Sequence, residues 1–182
     1  GIAEMIKHGL IHSIEYLDKV KSFDILKIAE LEDLIWESVL IKNDVITKDP
    51  FEKNIRKTLN YGHTLGHAIE SYSLDQNRFP ALLHGEAIAI GMILTNYISF
   101  IQLGFPEQTL SDTSHYIIKK FNKYLFSKED INAIIKLLKF DKKNYNGKVL
   151  FVLLNDIGNY KLNCEVSNSL IIEAFEYYKN YK

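Results

Sequence analysis

The sequence predicts a mainly α fold, a single multi-helical domain that carries one small β-hairpin. Three observations point there. Only 3 Pro and 9 Gly punctuate 182 residues. Long stretches repeat their apolar residues with helical rather than alternating spacing. One segment alone, KVLFVLL at 148–154 with NYKLNCEV behind it, has strand character. The length suits one domain able to bury most of the surface its unfolded chain exposes.

Taken in order, helical spacing covers about 1–17, 24–43, 51–73, 84–103, 107–123, 127–139 and 167–180. The first opens GIAEMIKHG, with Glu4 and Lys7 at i, i+3 and His8 at i, i+4 from Glu4. By spacing alone, a Glu–Lys pair of this kind reads as a surface ion pair of little energetic weight. The second, IAELEDLIWESVLIK, closes at Lys42, where the helix dipole favours a cation. The third holds LNYGHTLGHAIE, discussed below. The fourth follows LLHGEAIAIGM, with His84 just before an almost wholly apolar run and Glu86 in its first turn. A lone histidine there reads equally as a cap, a surface residue or a functional group.

Ser127 and Ser167 stand where N-caps belong, and Asp130, three residues after Ser127, approximates a capping box. Turn chemistry on both sides of the strand segment, YNG and NDIG, predicts the hairpin. LDQNRFPAL is the expected loop, and FDKKNYNGK groups Lys142 and Lys143 in a turn, usually a solvated basic patch. Tyr and Phe, 11 and 10 in number, spread through the helices as core.

Composition removes several classes of function. Twenty-two basic against 23 acidic side chains give a net charge of -1, which offers no support for nucleic-acid binding. One cysteine, Cys164, excludes an intramolecular disulfide and fits a reducing, cytoplasmic setting. The most apolar run, 87–104, is broken by Thr95, Asn96, Ser99 and Gln102, so a buried helix is the simpler reading than a membrane span. The N-terminus has no signal-peptide pattern, and it opens inside a helical pattern as a fragment of a longer chain would. Neither a Gly-x-Gly-x-x-Gly run nor a Walker loop is present to cradle a nucleotide's phosphates.

The histidines of LNYGHTLGHAIE carry the chemistry. On one continuous helix, Arg56, Asn60, His63, His67 and Glu70 fall at offsets of 4, 7, 11 and 14, each near a whole number of turns. They would share one face, with Leu59, Gly62, Gly66 and Ile69 on the adjacent one. A solvated face is usually rich in Lys and Glu. This one offers groups that hold anions, bind metal or move protons. His-x-x-x-His is the spacing of a zinc helix, but Thr64 stands where the HExxH motif needs its glutamate, so zincin chemistry is excluded.

In order along the chain, GIAEMIKHG, IKNDV, RKTLNYGHTLGHAIE, LLHGEAIAIGM and FDKKNYNGKVLFVLLNDIG together resemble the 3-dehydroquinate synthase family. The resemblance implies the multi-helical C-terminal domain of the dehydroquinate synthase-like fold, with 1–182 as one metal- and substrate-binding domain. It implies Glu4, His63 and His84 as ligands of Zn²⁺ (or Co²⁺), with open positions left for substrate. It makes His67 a proton-handling neighbour and Lys7 an active-site lysine near the metal. Lys42 and Arg56 would hold the substrate carboxylate, for which arginine's planar fork is well shaped. Asn60 and one of Lys142 and Lys143, with Lys142 favoured, would hold the phosphate.

The implied reaction is that of the shikimate pathway to the aromatic amino acids: 3-deoxy-D-arabino-heptulosonate 7-phosphate becomes 3-dehydroquinate with loss of phosphate. NAD⁺ serves as transient oxidant in a full-length homodimer. The implied partner is therefore a small sugar phosphate, with no nucleic acid and no membrane. Family members are about twice this length, and their N-terminal Rossmann-like NAD-binding domain has no counterpart here. The expectation is a fragment that binds zinc without turning over, and in which Glu4, so near an N-terminus, is prone to fray. Two alternatives stay open: another sugar-phosphate cyclase, and a non-catalytic helical interaction domain with structural histidines.

Overall fold

A computed structural model describes residues 1–23, 27–75, 81–138 and 149–181. Among these, the helices are α1 (Ile2–His12), α2 (Ile14–Ser22), α3 (Ile28–Lys48), α4 (His63–Asp75), α5 (His84–Leu103), α6 (Glu107–Phe121), α7 (Lys128–Leu138) and α8 (Asn168–Asn180). A 3-10 helix spans Ile55–Asn60, and strands β1 (Leu150–Asp156) and β2 (Asn159–Glu165) form one antiparallel hairpin. The mainly α fold with a single hairpin is as expected.

Helix α5 is the axis of the molecule. It packs against α1, α4, α6, α8 and β1, and every residue from Ala87 to Asn96 is buried. Its length and apolarity would suffice to cross a membrane, but two-thirds of its apolar window (67%) lies inside the domain, so the core accounts for its composition. Its start is held by Glu86, whose carboxylate accepts the Leu83 N–H at 2.8 Å. Its end is a left-handed Gly104, with φ of 73°.

Glycines bring α4 and α5 into backbone contact. A Cβ on Gly66 would lie 3.0 Å from Ile88 Cα, and one on Gly91 would lie 2.8 Å from Gly66 N and overlap the Gly62 carbonyl. Gly62 has φ of +74° and forms the turn that lets α4 begin at His63. Elsewhere caps act as the sequence predicts. Ser167 accepts from Leu170 N at 3.2 Å. Asp130 N donates to Ser127 Oγ, and Ser127 N donates to the Asp130 carboxylate, a reciprocal box. Asp130 also accepts from buried Tyr72 OH at 2.6 Å.

Three expected elements are corrected. The helix expected over 1–17 breaks at Ser13, which is extended and caps α2 by accepting from Tyr16 N. The helix expected to close at Lys42 runs on to Lys48, because no breaker intervenes before Asp49–Pro50; Lys42 is mid-helix, and the dipole argument does not apply to it. The helix expected over 51–73 is three pieces: a turn, the 3-10 helix, and α4 after the Tyr61–Gly62 turn. The Asp49 carboxylate organises the first piece by accepting from the backbone N–H of Lys53, Asn54 and Arg56. Desolvation opposes its charge, yet these three donors hold its carboxyl below the usual range. The single stripe from Arg56 to Glu70 therefore does not form; only its His63, His67 and Glu70 part survives as a helix face. The 76–80 part of the expected loop, and Lys142 and Lys143 in their turn, lie outside the described residues.

Candidate metal centre

Three elements distant in sequence deliver the site. Helix α1 brings Glu4 and Lys7, the first residue of α4 is His63, and the first residue of α5 is His84. One ligand atom from each of Glu4, His63 and His84 lies within 4.8 Å of the others. The His63 and His67 rings stand edge-on with centroids 5.3 Å apart, and each lies 6.0 Å from the His84 ring. Helix α1 is packed into the core along most of its length. Ala3 and Met5 to Ile11 are buried, and the Leu10 carbonyl accepts from Gly158 N in the hairpin turn at 2.9 Å.

Lys7 corrects the reading from spacing. It is not a surface partner but 2% exposed, and its ammonium donates to Glu4 Oε2 at 2.6 Å and to the Leu59 carbonyl at 3.0 Å. Burial opposes ionisation of Glu4. The His63 contact and the Lys7 charge outweigh it and hold the carboxyl well below the usual carboxylate range.

Does this donor set fit a divalent cation? His63 Nδ1 lies 3.0 Å from the Tyr61 carbonyl. A carbonyl can only accept, so Nδ1 carries a proton, and Nε2, the nitrogen left for a ligand, lies 3.2 Å from Glu4 Oε1. Glu4 Oε1 is buried and has no hydrogen-bond donor. A buried carboxylate oxygen with no donor costs free energy unless something positive lies beside it. Tetrahedral zinc ligands at ~2.0–2.1 Å from the ion sit about 3.3 Å apart. The residues fit.

The remaining expected residues are placed as follows. His67 is one turn along α4 from His63. Asn60 closes the 3-10 helix two residues before the turn ends, and its amide donates to Glu52 Oε1 at 2.8 Å. Arg56 lies on the same segment, with one guanidinium N–H committed to the Pro50 carbonyl at 2.7 Å. Lys42 is exposed on α3, near enough to His8 to affect its protonation.

Two residues were not singled out by sequence. Glu52, which receives the Asn60 amide, is held at φ of +54°, a conformation rare outside glycine. His8, noted only for its spacing from Glu4, is 3% exposed. It pairs its Nδ1 with Ser38 Oγ at 2.7 Å, and its buried Nε2 has no hydrogen-bond partner. Only the packing of α1 on α3 reveals this, since Ser38 carries no motif.

Burial, assisted by the positive charges of Lys7 and Lys42, pushes the His8 imidazole down to about 4; Glu4 opposes the shift and His63 adds to it. The folded value lies below the unfolded one of ~6.5. His8 therefore contributes stability that is fully present above pH ~6.5 and is lost as pH falls toward 4, amounting to ~3 kcal/mol over that window. Urea unfolding of the metal-free protein should show this loss. A His8→Gln variant should lack it, and equal slopes in the two proteins would refute the assignment.

Known proteins resemble this chain over nearly its whole length. A 3-dehydroquinate synthase of Parabacteroides distasonis is 39% identical over 181 residues, covering 98% of this chain and 51% of that protein. One from Dictyoglomus turgidum is 33% identical, covering 97% and 49%. The chain thus spans about half the length of the curated relatives it matches. Among solved structures, 2-deoxy-scyllo-inosose synthase complexed with carbaglucose-6-phosphate, NAD⁺ and Co²⁺ superposes with a TM-score of 0.75 at 26% identity, covering 96% of this chain and 50% of that one. The 2-epi-5-epi-valiolone synthase of Streptomyces hygroscopicus subsp. jinggangensis, with NAD⁺ and Zn²⁺ bound, has a TM-score of 0.78 at 18% identity over 99% of this chain and 50% of that one, and speaks to the fold alone. Residues 1–144, which contain every candidate ligand named above, match the family described as 3-dehydroquinate synthase C-terminal, and the chain belongs to that family.

Proposed function

We propose that this chain is the metal- and substrate-binding half of a 3-dehydroquinate synthase. It would act on 3-deoxy-D-arabino-heptulosonate 7-phosphate to release phosphate and form 3-dehydroquinate. The observation that carries the reading is the unpartnered Glu4 Oε1 beside His63 Nε2 and His84. Glu4, His63 and His84 would hold Zn²⁺ or Co²⁺, and a bound ion supplies the Lewis acidity that lowers the pKa of a coordinated hydroxyl.

The rest is done by the chain's own side chains. Lys7 keeps Glu4 ionised and places a buried positive charge against the site. His67, beside the ligand set but not needed to complete it, can accept and return a proton at its imidazole nitrogen. Arg56 has N–H groups beyond the one on Pro50 to offer a carboxylate, with Lys42 as its partner, while Asn60 and Lys142 would take the phosphate. The missing piece is the nicotinamide cofactor, for which the sequence has no phosphate-cradling loop. In the whole enzyme a homodimer in a reducing cytoplasm is the expected setting, which the single, buried Cys164 suits.

The purified chain, given Zn²⁺, NAD⁺ and substrate, should release no inorganic phosphate above background. Fusing it behind the N-terminal half of the Parabacteroides distasonis relative should restore release. Robust turnover by the chain alone would refute the division of labour. A metal-binding fusion that releases no phosphate from this substrate but turns over a different sugar phosphate would favour another cyclase reaction.

A further inference from the structure

Each candidate ligand has one partner that fixes its orientation. For Glu4 it is Lys7, itself tied to the Leu59 carbonyl. For His63 it is the Tyr61 carbonyl. For His84 it is Glu70, whose Oε2 lies 3.0 Å from His84 Nδ1. The three are not equivalent. Glu4 and His63 are 33% and 13% exposed and packed into the domain, whereas His84 is 50% exposed at the first residue of α5. A half-exposed imidazole can rotate and exchange tautomers, so its orientation depends most on its one hydrogen-bonded partner.

We propose that Glu70 is a positioning residue for His84, an inference that rests on the metal reading above. Glu70 stands seven residues after His63 on α4, two turns along the same face, so one rigid helix supplies both a ligand and the group that aims a second ligand. As a carboxylate it can only accept, which puts the proton on His84 Nδ1 and leaves the Nε2 lone pair for the ion. Its charge makes the imidazole a stronger donor and offsets part of the ion's double charge.

A competing arrangement uses the same atoms. His67, Glu70 and His84 also bring ligand atoms within 4.8 Å of one another, and in that arrangement Glu70 would itself bind the metal. The shared contact of 3.0 Å is compatible with both. The unpartnered Oε1 of Glu4 favours the first, since that atom is left without a cation in the second.

The test is zinc and cobalt titration of the intact chain with Glu70→Gln and Glu70→Ala, beside His63→Ala and Glu4→Gln, with thermal melts confirming that each variant folds. Glu70→Ala should weaken zinc binding by ~10–100-fold, the range for loss of an orienting partner. Glu70→Gln, which can still accept from Nδ1, should weaken it less. In ¹⁵N spectra of the metal-free protein, His84 should be Nδ1-protonated in the parent and in Glu70→Gln, and a mixture of tautomers in Glu70→Ala. Cobalt absorption bands should keep their positions in all Glu70 variants.

Unchanged affinity and tautomer in Glu70→Ala would overturn the proposal. So would altered cobalt bands in Glu70→Ala together with unaltered binding in Glu4→Gln, which would make Glu70 a ligand. If His63→Ala leaves zinc binding untouched, the metal reading itself fails, and that result is distinct from either.

Discussion

His63→Ala should reduce zinc affinity by more than ~100-fold, beyond the range for loss of an orienting partner, because it removes a ligand outright. The variant keeps Glu4 and His84 but loses the nitrogen that the Tyr61 carbonyl holds toward Glu4. Without metal it should stay close to the parent in stability, because Glu4 keeps its ion pair with Lys7. The difference should appear only on adding zinc. At a concentration 100-fold above Kd the parent gains ~2.7 kcal/mol, about 5–10 °C in Tm for a domain of this size. The variant should gain almost none of it. His67→Ala, one turn away, should bind zinc nearly as the parent does. Equal Kd values for His63→Ala and the parent would end the assignment of the ion to this centre, and a large loss in His67→Ala would move it along α4.

Gly91→Ala should destabilise the protein by ~3 kcal/mol or more, at or beyond the upper end for overpacking a core. In an open helix the same change is favourable by ~0.5–1 kcal/mol. The sign is decided here by what the new methyl meets. It would overlap the Gly62 carbonyl and crowd Gly66, both backbone atoms that cannot swing aside as a side chain can. Helix α5 must then move off α4, and His84 moves away from His63. Zinc affinity should fall with stability. Gly85→Ala, on the same helix, is the control: its methyl would meet only Ala3 Cβ at an ordinary 3.8 Å, so it should be neutral or mildly stabilising. Gly91→Ala unfolding at the parent's denaturant midpoint would refute the close-packed α4–α5 contact.

The sequence carried further for elements than for boundaries. Helices α5 to α8 and the hairpin follow from apolar spacing and from Ser127, Asp130, Ser167 and the turn residues, each a local signal. The break at Ser13 was missed although Ser13 itself caps α2, and both it and the 3-10 stretch before Gly62 are also held from outside their own segments. The hairpin turn seats Gly158 against the end of α1, and Met92 of α5 packs against the Gly62 turn. Periodicity alone continued the helices through both points.

The candidate site divides the same way. Residue types and family spacing singled out Glu4, His63 and His84, along with His67 and Lys7, before any coordinates. No spacing rule joins residue 4 to residues 63 and 84; that convergence comes from α1, α4 and α5 packing on one another, with glycines allowing the closest approach. Burial decided the rest. It turned the Glu4–Lys7 pair from a solvated surface pair into an interior one. It left Glu4 Oε1 beside the His63 nitrogen without a hydrogen-bond partner. The chain's residue types determine what chemistry it can support, because they set which donors exist. Whether those donors meet is decided by long-range packing, since a helix controls which face a residue shares but not what that face will touch.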